Sequence, residues 1–168
     1  MSAAAQDLYD RITFEEKVIL KPSELGAGKI DETLLNRVRD RLEGKCCVDG
    51  FVKPGSMSIK SKSMGHAAHA RFTGDFVYIL KLGAEVLNPP QDTEVDVEVI
   101  KTNVMGVYTL FDNAMRVLLP QDLHRDMPDI QDVKEGDRVR VKIVGVHYEV
   151  NDPQILAVGR LVRVLSSN

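Results

Sequence analysis

Arg138, Arg140 and Lys142 alternate with Val139, Val141 and Ile143. Residues two apart on a strand share a face, so these cations form one stripe. Such a stripe can track the phosphates of a nucleic acid, or it can lie opposite carboxylates across a sheet. Asp96 and Glu98, which alternate with Val95, Val97 and Val99, are the candidates for the second arrangement. Tyr108 stands between Val107 and Thr109, and the alternation turns it outward. An outward aromatic on a strand offers a face for base stacking; the alternative is packing on a neighbouring loop or subunit. Lys101, Arg116 and Arg160 are weaker candidates for phosphate contact.

A second cluster lies between Lys53 and Arg71. Lys53, Lys60, Lys62 and Arg71 occur there with no acidic residue between them, and His66 and His69 fall in the same stretch. Glycines at 55, 65 and 74 favour hairpins over a helix. This basic segment reads either as a docking surface for a larger partner or as an ordinary solvated hairpin. His66 and His69, with Cys46 and Cys47, lack the paired spacing of a zinc site, and no metal or cofactor is expected. The adjacent cysteines point to opposite strand faces, which disfavours a mutual disulfide; reduced thiols, one of them in the core, are expected. No glycine-rich phosphate loop, Gly-x-Ser-x-Gly elbow or His-Glu-x-x-His pair occurs. Asp96, Glu98, Asp122 and Asp126 read as solvated carboxylates, and His124 and His147 belong to no catalytic pattern. The chain is expected not to be an enzyme.

The elements that position these groups fall in two halves. With 43% hydrophobic and 28% charged residues the chain is globular. No apolar run approaches the ~20 residues of a membrane span, and the start of the chain has no signal-peptide pattern, so an intracellular protein is expected. Asn88-Pro89-Pro90 marks a boundary, giving domains 1–90 and 91–168. The first half carries 13 basic and 12 acidic residues, the second 9 and 13, so no strong electrostatic grip on nucleic acid is expected from the second.

The first half predicts a strand over 12–20, a turn at Lys21-Pro22 and Gly26 to Gly28, and a helix on Ile30, Leu34, Leu35, Val38 and Leu42. Asp31 or Thr33 is expected to cap that helix and Gly44 to close it. Strands follow at about 45–53, as a pair within 56–73, and at 76–87, which suggests an α+β unit. The second half predicts five strands, with a tight turn at Asp112-Asn113, a polar crossing from Gln121 to Asp132, a bend or bulge at Gly145 and a turn at Asn151-Asp152-Pro153. Three strands, a longer connection and two more strands is the order of an OB barrel. OB barrels bind along strands 2 and 3 and through the loops 1–2 and 4–5, here Asn103-Val104-Met105 and Glu149 to Gln154.

Gly106-Val107-Tyr108-Thr109 with its tight turn resembles the S1-type branch of that fold. The run from Asp137 to Gly145, with Asn151-Asp152 and Ala157-Val158-Gly159-Arg160-Leu161, resembles the stalk subunit of multi-subunit DNA-dependent RNA polymerases. That family includes the seventh subunit of eukaryotic polymerase II and its archaeal counterpart. Ile12 to Pro22, Leu34-Leu35-Asn36, Gly44 to Val52 and Phe76-Val77-Tyr78 resemble its N-terminal tip domain. Thr93 before Glu94, the Asp112-Asn113 turn and the short crossing depart from the family pattern. The resemblance implies an α+β, RNP-like tip domain followed by an all-β OB/S1-type five-stranded barrel. It also implies a non-catalytic transcription subunit that docks near the clamp with a small helical partner of the fourth-subunit type. Lys53, Lys60, Lys62, His66 and Arg71 would face the polymerase core. Tyr108, Lys101, Arg116, Arg138, Arg140, Lys142 and Arg160 would give weak contact with nascent single-stranded RNA. The site of action would be the nucleus for a cellular eukaryotic enzyme, or the virion or infected-cell transcription site for a viral one. The alternative is a free-standing S1-type RNA-binding factor in translation or RNA decay.

Overall fold

The computed structural model describes residues 8–26, 28–69 and 72–166. By their contacts these residues form two units, one of residues 11–44 and 52–86 and the other of 8–10, 45–51 and 87–166.

The first unit is α+β. β1 (Tyr9–Leu20), which begins in the other unit, leads into a one-turn helix, α1 (Pro22–Leu25), where a plain turn was expected. Pro22 has the fixed φ of a first helical turn, and the Glu24 carboxylate accepts the Lys21 N–H at 2.8 Å, so the turn closes as a helix. α2 (Ile30–Leu42) follows the predicted apolar spacing and buries Leu34 and Val38. Its N-cap is Lys29, not Asp31 or Thr33; the Thr33 hydroxyl donates back to the Lys29 carbonyl at 3.1 Å from inside the first turn. Gly44, at φ +70°, turns the chain out of the helix.

The expected strand over 45–53 is instead a hairpin of β2 (Cys46–Cys47) and β3 (Gly50–Val52), with Cys46 opposite Phe51. Gly50 takes φ +133°, which a residue with a side chain rarely adopts, and the chain folds back there. β4 (Ser58–Lys62) and β5 (His66–Ala67) do not pair with each other. Each pairs antiparallel with β6 (Phe76–Leu87), Ser58 opposite Gly83 and His66 opposite Val77. Val18, Leu20, Leu80, Leu82 and Val86 join Leu34 and Val38 in the buried apolar layer of this unit.

The second unit contains the closed barrel. β7 (Glu94–Asn103), β8 (Gly106–Phe111), β9 (Met115–Pro120), β10 (Arg138–His147) and β11 (Ile155–Ser166) close in the order β10-β11-β9-β8-β7 and back to β10. This is the OB strand order. All pairings are antiparallel except β9 with β11, which is parallel. Val95, Val97, Val99, Val107, Val117, Leu119, Val139, Val141, Ile143 and Ile155 fill the interior, as their alternation predicts. Asp112 and Asn113 both have positive φ, the backbone of a two-residue hairpin turn that short polar side chains tolerate. A register shift between Ile143 and Gly145 marks the expected bulge.

The register places Arg138 opposite Glu98, Arg140 opposite Asp96 and Lys142 opposite Glu94. Arg140 grips Asp96 with both ends of its fork, Nε to Oδ1 at 2.6 Å and Nη2 to Oδ2 at 2.9 Å. The bond from Arg140 is the main cause that holds the Asp96 carboxyl below the ordinary Asp range; burial opposes it, and the charges of Arg140, Arg138 and Arg163 reinforce it.

The crossing between β9 and β10 contains two 3₁₀ turns, Gln121–His124 and Pro128–Ile130. His124, which belongs to no pattern in the sequence, is buried. Its Nε2 accepts the Leu161 N–H of β11 at 2.8 Å, and its Nδ1 donates to the Pro120 carbonyl at 2.7 Å. One ring therefore ties the crossing to β11 and satisfies two backbone groups.

Two measurements check these contacts. His124→Ala strands the buried Leu161 N–H and is expected to cost about 1–3 kcal/mol in urea unfolding; unchanged stability refutes the latch. A depressed native carboxyl stabilises the fold at pH values above its unfolded value, about 3.9, and that contribution disappears as pH falls through the lower native value. Asp96→Asn is therefore expected to flatten the acid limb of the stability profile below about pH 4.

Candidate nucleic-acid interface

The outer surface of the barrel brings distant residues into rows across its strands. Lys101, Tyr108, Leu118, Val158 and Gly145 are successive cross-strand neighbours along β7, β8, β9, β11 and β10. Leu110, Arg116, Leu156 and His147 form the next row. Tyr108 is half-buried and lines a groove of about 450 Å³ with Arg116, Leu118, Leu156 and Val158. The aromatic face and the Arg116 guanidinium thus share one hollow on strands 2 and 3 of the barrel, where an unstacked base and its phosphate can be met together. The aliphatic side of the groove was not singled out from the sequence. Leu156 and Val158 alternate with inward Ile155 and Ala157, so their outward direction was legible. Their place beside Arg116 and Leu118 depends on the parallel pairing of β9 with β11.

The basic stripe divides by partner. Arg140 is held by Asp96, and Lys142 reaches Asp92 at 3.0 Å. Arg138 and Arg160 are exposed and make no ion pair among the described residues. Arg163, opposite Arg140 on β11, joins them and was not singled out from the sequence. Lys101 and Arg116 are likewise exposed and without an ion pair among the described residues.

The two candidate loops differ. In the β7–β8 loop the Asn103 carbonyl Oδ1 accepts the N–H groups of Met105 at 3.0 Å and Gly106 at 3.1 Å, leaving Val104 and Met105 exposed at the tip. A Cβ on Gly106 would stand 2.2 Å from the Leu119 carbonyl oxygen, so only glycine allows this approach. The β10–β11 loop is taken by the chain itself. The Cys46 N–H donates to the Asp152 carbonyl, and the Asn151 N–H to the Cys46 carbonyl, both at 2.8 Å. The Tyr148 hydroxyl donates to the Val48 carbonyl at 3.3 Å. Cys46 and Phe51 enter the same buried cluster as the barrel interior. Burial first, then the nearby charges of Asp152 and Cys47, push the Cys46 thiol up to about 11, so it is a neutral core group. Burial likewise raises the Tyr148 phenol.

In the α+β unit, Lys53 pairs with Glu85 at 3.1 Å and Lys62 with Asp31. The Lys60 stem lies over Gly83. His66 is exposed on β5 and lines a surface hollow with His69, Lys17 and Asp75. Arg71 lies outside the described residues. Among the described residues no group of three or more His, Cys, Asp or Glu side chains is arranged to hold a metal ion, and no helix is long and apolar enough to cross a membrane.

No protein-family model matches the chain. The chain is similar over nearly its whole length to a protein of Acanthamoeba polyphaga mimivirus named "Putative DNA-directed RNA polymerase subunit L376". Identity is 20% over 177 aligned residues, covering 98% of this chain and 87% of the viral protein, which makes that protein a distant full-length homologue.

Proposed function

We propose that this chain is the stalk subunit of a DNA-directed RNA polymerase, a non-catalytic part of a catalytic assembly. One observation carries the reading. A chain that folds as an α+β unit followed by a barrel of OB strand order aligns over 98% of its length with 87% of the viral protein named "Putative DNA-directed RNA polymerase subunit L376". In this reading residues 1–90 dock near the clamp, through Lys53, Lys60, Lys62, His66 and Arg71, together with a small helical partner of the fourth-subunit type. Residues 91–168 give weak contact with nascent single-stranded RNA through the Tyr108 groove, with Lys101 and Arg116 beside it and Arg138 and Arg160 on the neighbouring strands. Arg140 and Lys142 contribute less, since carboxylates already hold them. A non-catalytic role is supported by the use made of the perturbed groups: Asp96 is bound by Arg140, and Cys46 is packed in the core. The mimivirus homologue favours a viral transcription site, the virion or infected cell, over the nucleus.

The test of membership is a tagged pull-down at gentle salt with mass spectrometry. Large polymerase subunits and a small helical partner are the expected catch, and recovery of no polymerase subunit overturns the proposal. RNA contact is tested on the isolated complex at low salt. Tyr108→Ala is expected to weaken single-stranded RNA binding by about tenfold, the loss of one stacked base. Arg138→Ala and Arg160→Ala are each expected to flatten the slope of log affinity against log salt by about one, and Arg140→Ala by much less. Equal affinity of the Tyr108→Ala and native complexes refutes the stacking role.

A further inference from the structure

At the β7–β8 end of the barrel lies a second hollow, of about 250 Å³, separate from the Tyr108 groove. Val107, Ile130 and Val133, all buried, form its apolar floor. Asn103 stands on one wall, and Gln121 and Gln131 from the crossing stand on the other. None of its lining residues is charged. Lys101 and Lys134 are exposed, and each is adjacent in sequence to a lining residue.

The two walls are fastened to each other without a ligand. The Gln121 N–H donates to the Met105 carbonyl at 3.1 Å, joining the crossing to the β7–β8 loop. His124 anchors the same 3₁₀ turn to β11 through Leu161. The Gln131 N–H closes its own turn on the Pro128 carbonyl at 3.0 Å. Asn103 spends its Oδ1 on the loop and keeps its amide donors. Those donors and the side-chain amides of Gln121 and Gln131 make no hydrogen bond among the described residues.

This chemistry selects among ligands. A phosphate or carboxylate finds no cation in the lining to replace its water. An apolar side chain fits the floor but makes no use of the exposed amides of Asn103, Gln121 and Gln131. A planar heterocycle with donors and acceptors on its edge satisfies both, because each amide offers both kinds of group. The volume is below the roughly 300–1,000 Å³ of drug-sized pockets, which suits one ring system. We propose that this hollow binds a single unstacked nucleobase of single-stranded RNA, with its face on Val107, Ile130 and Val133, its edge on Asn103, Gln121 and Gln131, and the flanking phosphates near Lys101 and Lys134. The inference rests on the reading that the barrel contacts RNA, and it adds base preference to a contact otherwise made by stacking and charge.

The test measures fluorescence anisotropy of the full chain with labelled uridine, cytidine and adenosine homopolymers of equal length, with nucleoside monophosphates as competitors. The expected result is a preference of about tenfold for one homopolymer, as an edge-on amide contact confers. That preference is expected to vanish in the Gln121→Ala/Gln131→Ala double variant. Tyr108→Ala is expected to weaken all three homopolymers and keep their order. Binding without preference, or a preference unchanged in the double variant, overturns the pocket and spares the RNA reading of the barrel. Failure of every homopolymer to bind at low salt overturns both. Gln-dependent displacement by a free monophosphate as effective as the preferred homopolymer overturns assignment to a strand and points to a free nucleotide.

Discussion

Closure of the barrel rests on the parallel pairing of β11 with β9, and most of what the molecule presents to a ligand follows from it. Antiparallel strands in sequence can be joined by short turns, whereas a parallel pair needs the chain to cross from one end of the barrel to the other. Here the path from β9 to β11 includes both the crossing and β10. Gly159 marks how closely the seam packs: a Cβ there would stand 2.8 Å from a methyl group of Val117. The seam sets Leu156 and Val158 beside Arg116 and Leu118. It also requires a crossing over one end of the barrel, which supplies Ile130 and Val133 to the core and Gln121 and Gln131 to the second hollow. His124 holds that crossing on β11 and leaves neither of its two backbone partners unsatisfied.

The other end of the barrel is treated differently. There the hairpin of β2 and β3 supplies Cys46 and Phe51 to the core and binds the β10–β11 loop through main-chain bonds. Tyr9 adds a bond from its hydroxyl to Asp112 at 2.8 Å. A loop whose backbone groups are already paired in this way has fewer left for a ligand. The groups open to a ligand are therefore those of the outer face around Tyr108 and of the β7–β8 loop.

Charge on the barrel is divided between paired and open groups. The acidic balance of the barrel half comes partly from carboxylates that neutralise the basic stripe from within, Asp96 on Arg140 and Asp92 on Lys142. What remains open, Lys101, Arg116, Arg138, Arg160 and Arg163, is spread over the strand faces and not gathered into one dense track. Long-range attraction of a polyanion by charges so spread is modest.

Alternation by twos was enough to read β7, β8, β9, β10 and β11, their inward valines and isoleucines, and the outward direction of Tyr108 and the basic stripe. Alternation is local, set by how each residue's backbone points its side chain, so it survives in one dimension. The Asp112-Asn113 turn and the Gly145 bulge were legible for the same reason: their residue types suit backbone geometries that others avoid. The hairpin break inside 45–53, the burial of His124, the division of the stripe into paired and open cations, and the aliphatic half of the Tyr108 groove were not legible. The hairpin is local but turns on the one unusual φ of Gly50; the other three depend on pairing between segments far apart in sequence, which alternation along one strand does not register. The sequence by itself determined the strands, their inward faces and the outward direction of the aromatic and basic residues. Only the tertiary structure decided which of those residues stand together and which are already occupied, because barrel closure selects neighbours by register across the sheet and not by distance along the chain.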